Sequence, residues 1–206
     1  MLALRTFLRD QGWFDERGIA IPNLAELLDL VALGTVADVV PLDANNRILT
    51  WQGMSRIRAG KCRPGIKALL EVANRDPQKL AASDLGFALG PRLNAAGRLD
   101  DMSVGVALLL CDNIGEARVL ANELDALNQT RKEIEQGMQV EALTLCEKLE
   151  RSRDTLPGGL AMYHPEWHQG VVGILASRIK ERFHRPVIAF APAGDGTLKG
   201  SGRSIQ

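Results

Sequence analysis

Residues 157–191 read PGGLAMYHPEWHQGVVGILASRIKERFHRPVIAFA, and this stretch decides the fold class. The proline and the two glycines at its start punctuate the chain and indicate a boundary. After them, the apolar pattern predicts a strand, a helix, a buried strand and a final strand over residues 160–163, 170–183, 187–191 and 197–205. This β-α-β-β order follows a long helical region, so the sequence predicts a helix-rich α/β fold. The unit is too small to be a complete domain.

A long helix is predicted upstream of this unit, over residues 116–152. Apolar side chains recur at steps of three and four from Leu120 to Leu149, no proline interrupts the run, and Gly137 is its only glycine. Such a helix would be about 50 Å long and would join two domains. The alternative is a helical hairpin that breaks near Gly137. The predicted domains are therefore residues 1–115, a connecting helix over 116–152, and residues 153–206.

Shorter helices are predicted in the N-terminal part of the chain. The apolar spacing places them over residues 2–9, from Pro22 to a stop at Pro41, over 46–58 and over 64–73. Ser83 and Ser103 are each predicted to cap a further helix. Residues 12–22 are expected to form a loop, and residues 91–98 are expected to interrupt the helical pattern.

The composition excludes several classes of protein. The chain has 206 residues, 46% of them hydrophobic, with 25 basic and 25 acidic side chains and no formal net charge. It has enough apolar residues for a core, no run of about 18 apolar residues, and three scattered cysteines, which argues against a disordered chain, a transmembrane protein and a disulfide scaffold. No signal peptide is evident, so we predict a cytoplasmic protein without a membrane partner.

The charged residues are unevenly distributed along the chain. Residues 44–70 contain six basic side chains and no acidic one, whereas acidic side chains gather between residues 116 and 150. Basic segments beside an acidic one fit a groove for an anionic polymer. Ordinary solvated surfaces would give the same pattern, so charge alone leaves both interpretations open.

A single carboxylate stands out in the run LGTVADVVPL, residues 33–42, where Asp38 lies among apolar residues. Because an unpaired carboxylate is costly to bury, this setting predicts a partner for Asp38. A divalent cation would serve, and the alternative is a turn before Pro41 that this side chain caps. One carboxylate is too little for a hydrolytic metal site, since Mg²⁺ and Mn²⁺ need several oxygen ligands or waters.

Two stretches in the C-terminal third contain residue types that bind anions. His168 lies two residues before Gly170, where a helix is predicted to begin. Free N–H groups and the helix dipole attract anions at such a start, and His168 could add a hydrogen bond to a phosphate. The stretch GSGRS, residues 200–204, brings two hydroxyls and a guanidinium together. Arginine can grip a phosphate with two hydrogen bonds, and serine adds another. Simple turns are the alternative for both stretches.

A third cluster surrounds Gly97. Arg92, Asn94 and Arg98 lie close together in the sequence, and a loop or a helix start could converge both arginines on one anion. Capping and surface roles are the alternative for each of the three side chains.

Four stretches occur together in one known family. They are LGTVADVVPL at residues 33–42, GPRLNAAGR at 90–98, HQGVVGILASR at 168–178 and GSGRS at 200–204. In this order they resemble the later motifs of the RecJ-type exonucleases, which are single-strand-specific DNA nucleases of the DHH phosphoesterase superfamily. The resemblance covers essentially the whole chain, and four ordered motifs are far more specific than any one of them.

The resemblance implies an architecture and a chemistry. The architecture is the C-terminal part of a DHH catalytic domain, a long connecting helix and the start of a DHHA1-type α/β domain. The chemistry uses two divalent cations, Mn²⁺ or Mg²⁺, that activate a water at the phosphodiester of a single DNA strand and remove nucleotides from its 5′ end. Asp38 matches a metal ligand of the family, and His168 would lie with it in the catalytic cleft.

The resemblance also implies a set of phosphate-binding residues. Ser201, Arg203 and Ser204 belong to the stretch that would hold the terminal 5′-phosphate. The remaining members would lie in the cleft or on the helix behind it, namely Arg92, Asn94, Arg98, His168, Ser177 and Arg178.

The sequence also departs from the family. The Asp-His-His triplet and an earlier Asp-x-Asp pair are absent. We therefore expect a central fragment or a truncated gene model, with most metal ligands outside it and little or no nuclease activity of its own. The alternatives are a non-catalytic module that binds single-stranded nucleic acid, and a related DHH phosphodiesterase that acts on short RNA or cyclic dinucleotides. The resemblance suggests DNA repair and recombination as the setting, without naming a protein partner.

Overall fold

The computed structural model describes residues 2–152, 157–194 and 196–205. Its α-helices are α1 (Leu2–Asp10), α2 (Trp13–Glu16), α3 (Leu28–Ala37), α4 (Ala44–Arg58), α5 (Pro64–Val72), α6 (Ala82–Asp84), α7 (Gly90–Leu99), α8 (Ser103–Leu110), α9 (Ile114–Ser152) and α10 (Val172–Phe183). Its strands are β1 (Leu160–Tyr163), β2 (Val187–Pro192) and β3 (Leu198–Arg203). Two short 3₁₀ turns lie at Leu24–Leu27 and Pro77–Lys79, and a π-helical turn lies at Leu85–Leu89.

The chain divides into two compact units. The first comprises Met1–Pro91 and Gly105–Asn122, and the second comprises Arg92–Val104 and Glu123–Gln206. Helices α7, α8 and α9 therefore contribute residues to both units. The predicted domain boundaries stay a prediction, and the boundary at residue 152 lies beside residues 153–156, outside the described part of the chain.

The first unit is built from helices. α3 and α4 pack against each other, and Asp43 caps α4 by accepting the N–H of Asn46 at 2.8 Å. Pro64 occupies the first turn of α5, where a missing N–H costs no hydrogen bond. The buried core of this unit includes Ile57, Ile66, Leu69, Leu70, Leu85 and Leu89.

The second unit is built around a three-stranded sheet of order β1-β2-β3. β1 pairs parallel with β2, which requires the crossover helix α10 between them, and β3 pairs antiparallel with β2. The core joins apolar residues of α9, α10 and the sheet, among them Met138, Ala142, Leu175, Ile179, Val187 and Ala189. Leu99 at the end of α7 packs against this core.

The predicted C-terminal pattern is confirmed, because a strand, a helix and two strands follow one another in the expected places. The long helix is also confirmed. α9 is continuous over 39 residues and passes through Gly137, so the hairpin alternative is wrong. Within the described ranges, α9 included, no helix has both the length and the apolar character that crossing a membrane requires.

Residues 91–98 are helical, which corrects the predicted interruption. Helix α7 runs from Gly90 to Leu99 and directly follows the π-helical turn. Pro91 lies two residues after the π-helical turn in one continuous helical run, at a place where the regular α-helical hydrogen-bond pattern is already interrupted. Proline and glycine therefore gave a misleading breaker signal here.

Three smaller predictions are also corrected. The loop predicted over residues 12–22 contains the one-turn helix α2. Ser83 lies inside α6, and Asp84 caps that turn by accepting a backbone N–H at 2.8 Å. Ser103 begins α8, but Asp101 is its cap and accepts the Ser103 N–H at 2.9 Å. This bond holds the pKa of the Asp101 carboxyl below its usual value.

Candidate phosphate-binding site

Strand β3 presents its side chains alternately to the two faces of the sheet. Ser201 is paired with Ala189 of β2, and Arg203 is paired with Val187; both β2 residues are buried. Directly opposed residues share a face, so Ser201 and Arg203 lie together on the side of the buried core. The stretch GSGRS thus brings a hydroxyl and a guanidinium together in the second unit.

The guanidinium of Arg203 is held by three hydrogen bonds. Its Nε donates to Ser177 Oγ at 3.1 Å, and its Nη1 donates to Ser201 Oγ at 3.0 Å and to the Gly202 carbonyl at 2.8 Å. Within the described ranges, Nη2 makes no such bond. Arg203 is exposed, so a fixed cation with unused donors faces solvent. Such a group suits an oxyanion, because charge-assisted hydrogen bonds to phosphate are strong.

Gly173 in the first turn of α10 leaves room for this cluster. A Cβ at this position would lie 3.1 Å from Arg203 Nη2 and 3.1 Å from Ser201 Oγ, which is tighter than ordinary contact. Ser177 lies four residues later on the same face of α10. Helix α10 therefore contacts Arg203 through two residues: Gly173 leaves space for the guanidinium, and Ser177 accepts a hydrogen bond from it. Ser204 is exposed just beyond the end of β3.

A second cluster joins the end of α7 to the loop before α10. Arg98 Nη1 donates to the Gly170 carbonyl at 3.2 Å, and the Gly170 N–H donates to His168 Nδ1 at 3.1 Å. A Cβ at Gly170 would overlap the Arg98 carbonyl oxygen, so only glycine fits this close approach. The structure thus brings Arg98 and His168 together although they are far apart in the sequence.

His168 has a defined tautomer in this arrangement. Its Nδ1 accepts the Gly170 N–H, and a ring nitrogen that accepts a hydrogen bond carries no proton. The neutral imidazole therefore carries its proton on Nε2. Nε2–H can donate to a phosphate oxygen, as the sequence predicts for this side chain.

Arg92 and Arg98 have different surroundings. Arg92 forms an ion pair with Asp125 of α9 at 2.8 Å, and its side chain is only 13% exposed. Six residues along an α-helix place the two arginines about 120° apart around the axis of α7. The structure therefore pairs Arg92 within the unit and leaves Arg98 exposed. Asn94 is also exposed on α7.

Arg178 on α10 is partly neutralised. Its Nε lies 3.4 Å from Glu135 Oε1, while Glu135 Oε2 also accepts from Arg131 Nη1 at 2.8 Å. The Arg178 side chain is 54% exposed. Glu135 was not singled out from the sequence, although its spacing of four from Arg131 is the usual signal of a helical ion pair. Its contact with Arg178 spans 43 residues and leaves no sequence signal.

Asp38 is exposed in the first unit, which corrects the predicted apolar setting. It is the C-terminal cap residue of α3, and its apolar neighbours Val39 and Val40 are exposed as well, by 85% and 39%. The run is apolar in sequence but lies at the surface. The carboxylate therefore has access to water and needs no buried partner.

The described residues of this chain do not complete a metal site. In residues 2–152, 157–194 and 196–205, no group of three or more His, Cys, Asp or Glu side chains could hold a metal ion. Asp38 by itself supplies one ligand, whereas hard divalent cations take several oxygen ligands.

Comparisons with known proteins agree with this fold. Residues 157–206 match the DHHA1 domain family. Over all 206 residues, the chain is 98% identical to the single-stranded-DNA-specific exonuclease RecJ of Escherichia coli (strain K12). The chain is RecJ-like along its whole length. It is also 60% identical to RecJ of Haemophilus influenzae, and it spans 36% of the length of each of these two relatives.

Solved RecJ structures have the same fold over nearly the whole chain. RecJ from Thermus thermophilus in complex with Mg²⁺ matches with a TM-score of 0.73 and 36% identity, over 93% of this chain and 28% of that one. A RecJ exonuclease bound to manganese matches with a TM-score of 0.72 and 35% identity, over 94% and 46% of the two chains. The RecJ resemblance and the helix-rich α/β class are therefore confirmed.

Proposed function

We propose that the chain is part of a metal-dependent exonuclease that hydrolyses phosphodiester bonds of single-stranded DNA from the 5′ end. The observation that carries this proposal is Arg203, whose guanidinium is fixed by three hydrogen bonds and exposed to solvent. This arrangement occurs in a chain that is 98% identical to a protein named as a single-stranded-DNA-specific exonuclease. A cytoplasmic setting and a role in DNA repair and recombination belong to the same proposal.

The proposed roles follow the geometry of the second unit. Arg203 and Ser201, with Ser204 beside them, bind the terminal 5′-phosphate. Arg98 and the Nε2–H of His168 contact the next phosphate along the strand. The other members of the set contribute by position or by charge near the strand, namely Arg92, Asn94, Ser177 and Arg178.

Asp38 is the only residue of this chain that we propose as a metal ligand. Its carboxylate is exposed at the end of α3 and is therefore available as a ligand to Mn²⁺ or Mg²⁺. When bound, such ions supply an activated water and stabilise charge at the phosphodiester. Because the described residues hold no group of three metal ligands, we expect this chain alone to bind a strand without cutting it. In that respect the isolated chain behaves as the non-catalytic binding module.

The terminal 5′-phosphate is the group that Arg203 is proposed to bind. The chain should bind a 5′-phosphorylated single strand more tightly than the same strand with a 5′-hydroxyl, and Arg203→Ala should reduce this preference about tenfold because a charge-assisted pair is lost. Fluorescence anisotropy with the two labelled oligonucleotides measures both affinities.

A matched control is Arg185→Ala, which removes another exposed arginine of the same unit and should lower both affinities equally. A parent chain that binds the two strands equally would overturn the 5′-phosphate assignment. Shortening of the phosphorylated strand in Mn²⁺ by the pure chain would overturn the expectation that Asp38 does not suffice for cleavage.

A further inference from the structure

The hydroxyl of Ser177 faces the Arg203 side chain. Ser177 is half-buried on α10, and its Oγ accepts from Arg203 Nε at 3.1 Å. Ser201 Oγ accepts from Nη1 on the same side chain at 3.0 Å. The two hydroxyls therefore hold the guanidinium at two of its nitrogens, and together they fix the plane of the group.

Fixing this plane has an energetic consequence. A free arginine side chain samples many rotamers, and it loses this conformational entropy when it binds an anion. A guanidinium that is already oriented loses less on binding, so its affinity for the anion rises. This gain in affinity requires a neighbouring side chain that holds the guanidinium in place and leaves its other N–H donors available for the anion.

We infer that Ser177 is a positioning residue that acts through Arg203 and sets the preference for a terminal phosphate. Its hydroxyl orients the guanidinium, and Gly173 keeps free the space that the guanidinium needs. Nη2, the nitrogen nearest to Gly173, is then the donor presented to the anion. This inference rests on the proposed function, because it concerns the same phosphate site, but it assigns Ser177 a role other than direct contact with substrate.

A spectroscopic measurement tests the hydrogen bond without any ligand. In ¹⁵N-labelled chain, the Nε–H signal of Arg203 is identified by its loss in Arg203→Lys. Its exchange with water should be about fivefold faster in Ser177→Ala than in the parent, because the acceptor is gone. Ser177→Thr keeps a hydroxyl at the same position and should restore slow exchange.

A binding measurement tests the consequence. Ser177→Ala should lower the preference for a 5′-phosphorylated over a 5′-hydroxyl single strand about fivefold, while Ser177→Thr should retain most of it. Gly173→Ala should also lower the preference, since its Cβ would displace Arg203 and Ser201. The control is Ser55→Ala, which removes a helical hydroxyl that bonds the Trp51 carbonyl, and it should leave the preference unchanged.

The outcomes separate this inference from the proposed function. If Ser177→Ala keeps the full preference while Arg203→Ala loses it, Ser177 has no positioning role and the phosphate site stands. Unchanged Nε–H exchange in Ser177→Ala also overturns the inference. If the parent shows no preference, the phosphate site itself fails, and the positioning role for phosphate fails with it. Faster exchange together with a lost preference that Thr restores supports the inference.

Discussion

Val39 is held in a conformation that β-branched residues rarely adopt. Its φ is 54°, in the left-handed region, although the residue is neither glycine nor asparagine. The position closes α3, because the Val40 N–H donates back to the Thr35 carbonyl at 3.0 Å and the Val39 N–H to the Val36 carbonyl at 3.2 Å. Helices that end in this way usually have glycine at this position.

Replacing this valine should therefore stabilise the first unit. Val39→Gly should raise the free energy of unfolding by about 1 kcal/mol, since the left-handed strain of roughly 1–2 kcal/mol exceeds the entropic cost of glycine. The side chain is 85% exposed, so little packing is lost. Urea unfolding followed by circular dichroism measures the change. Val40→Gly is the control and should destabilise, and a loss of stability in Val39→Gly would show that the turn is not strained.

The sequence predicts which side chains lie together only where the residues are close in the chain. Ser201 and Arg203 are two apart, so a strand prediction already places them on one face. The contact of Arg203 with Ser177 spans 26 residues and depends on how β3 packs on α10. Asp38 was placed in an apolar setting because its neighbours are apolar, yet exposure depends on what packs around a turn, and no local pattern contains that.

Gly137 in the middle of α9 offers a test at the level of the helix. No heavy atom lies within 4 Å of a Cβ built at this position, so a side chain would meet only solvent. Gly137→Ala should stabilise the chain by about 1 kcal/mol, because alanine loses less backbone entropy in a helix. Thermal unfolding followed by calorimetry measures this change in stability. A lower melting temperature for this variant would indicate that the helix is broken near Gly137.

Helices and strands were predictable where an apolar pattern repeats along the sequence. They were less predictable where proline and glycine were the only signal. The apolar pattern repeats many times over the 39 residues of α9, and buried residues alternate with more exposed ones along β1 and β2. Residues 91–98 contain a proline and a glycine, which usually break a helix, yet the π-helical turn before them passes into α7 without a loop. A helix tolerates a proline where its regular hydrogen-bond pattern is already interrupted, and the π-helical turn that interrupts it here was not evident from the sequence.

The charge of the whole chain bears on how it should bind a strand. The 25 basic and 25 acidic side chains balance, so the proposed binding of DNA would depend on local groups such as Arg98, Arg178 and Arg203. Roughly three or four phosphate contacts predict a slope of about −2 to −3 for log affinity against log salt on a single strand. Anisotropy titrations between about 50 and 200 mM salt measure the slope. A slope near zero would contradict an electrostatic site.

The division into two units could not be predicted from local patterns. Each unit is discontinuous in sequence, since residues 92–104 belong with 123–206 while 105–122 belong with the N-terminal part. Sequence patterns place boundaries where punctuation occurs, as at residues 157–159, whereas compact units follow from contacts between distant residues. The family resemblance supplied the architecture that composition and periodicity did not.

The contact between Arg98 and Gly170 has a consequence for how the chain is made. The two residues are 72 positions apart. At about 5–20 residues per second, a ribosome needs about 4 to 14 s to travel from one to the other. During that interval α7 has been synthesised but α10 has not. Leu99 therefore lacks the α10 side chains of the core against which it packs in the folded unit. Synonymous codons between these positions change the translation rate without changing the amino acids. They would therefore set how long the nascent chain contains Arg98 without its partner Gly170.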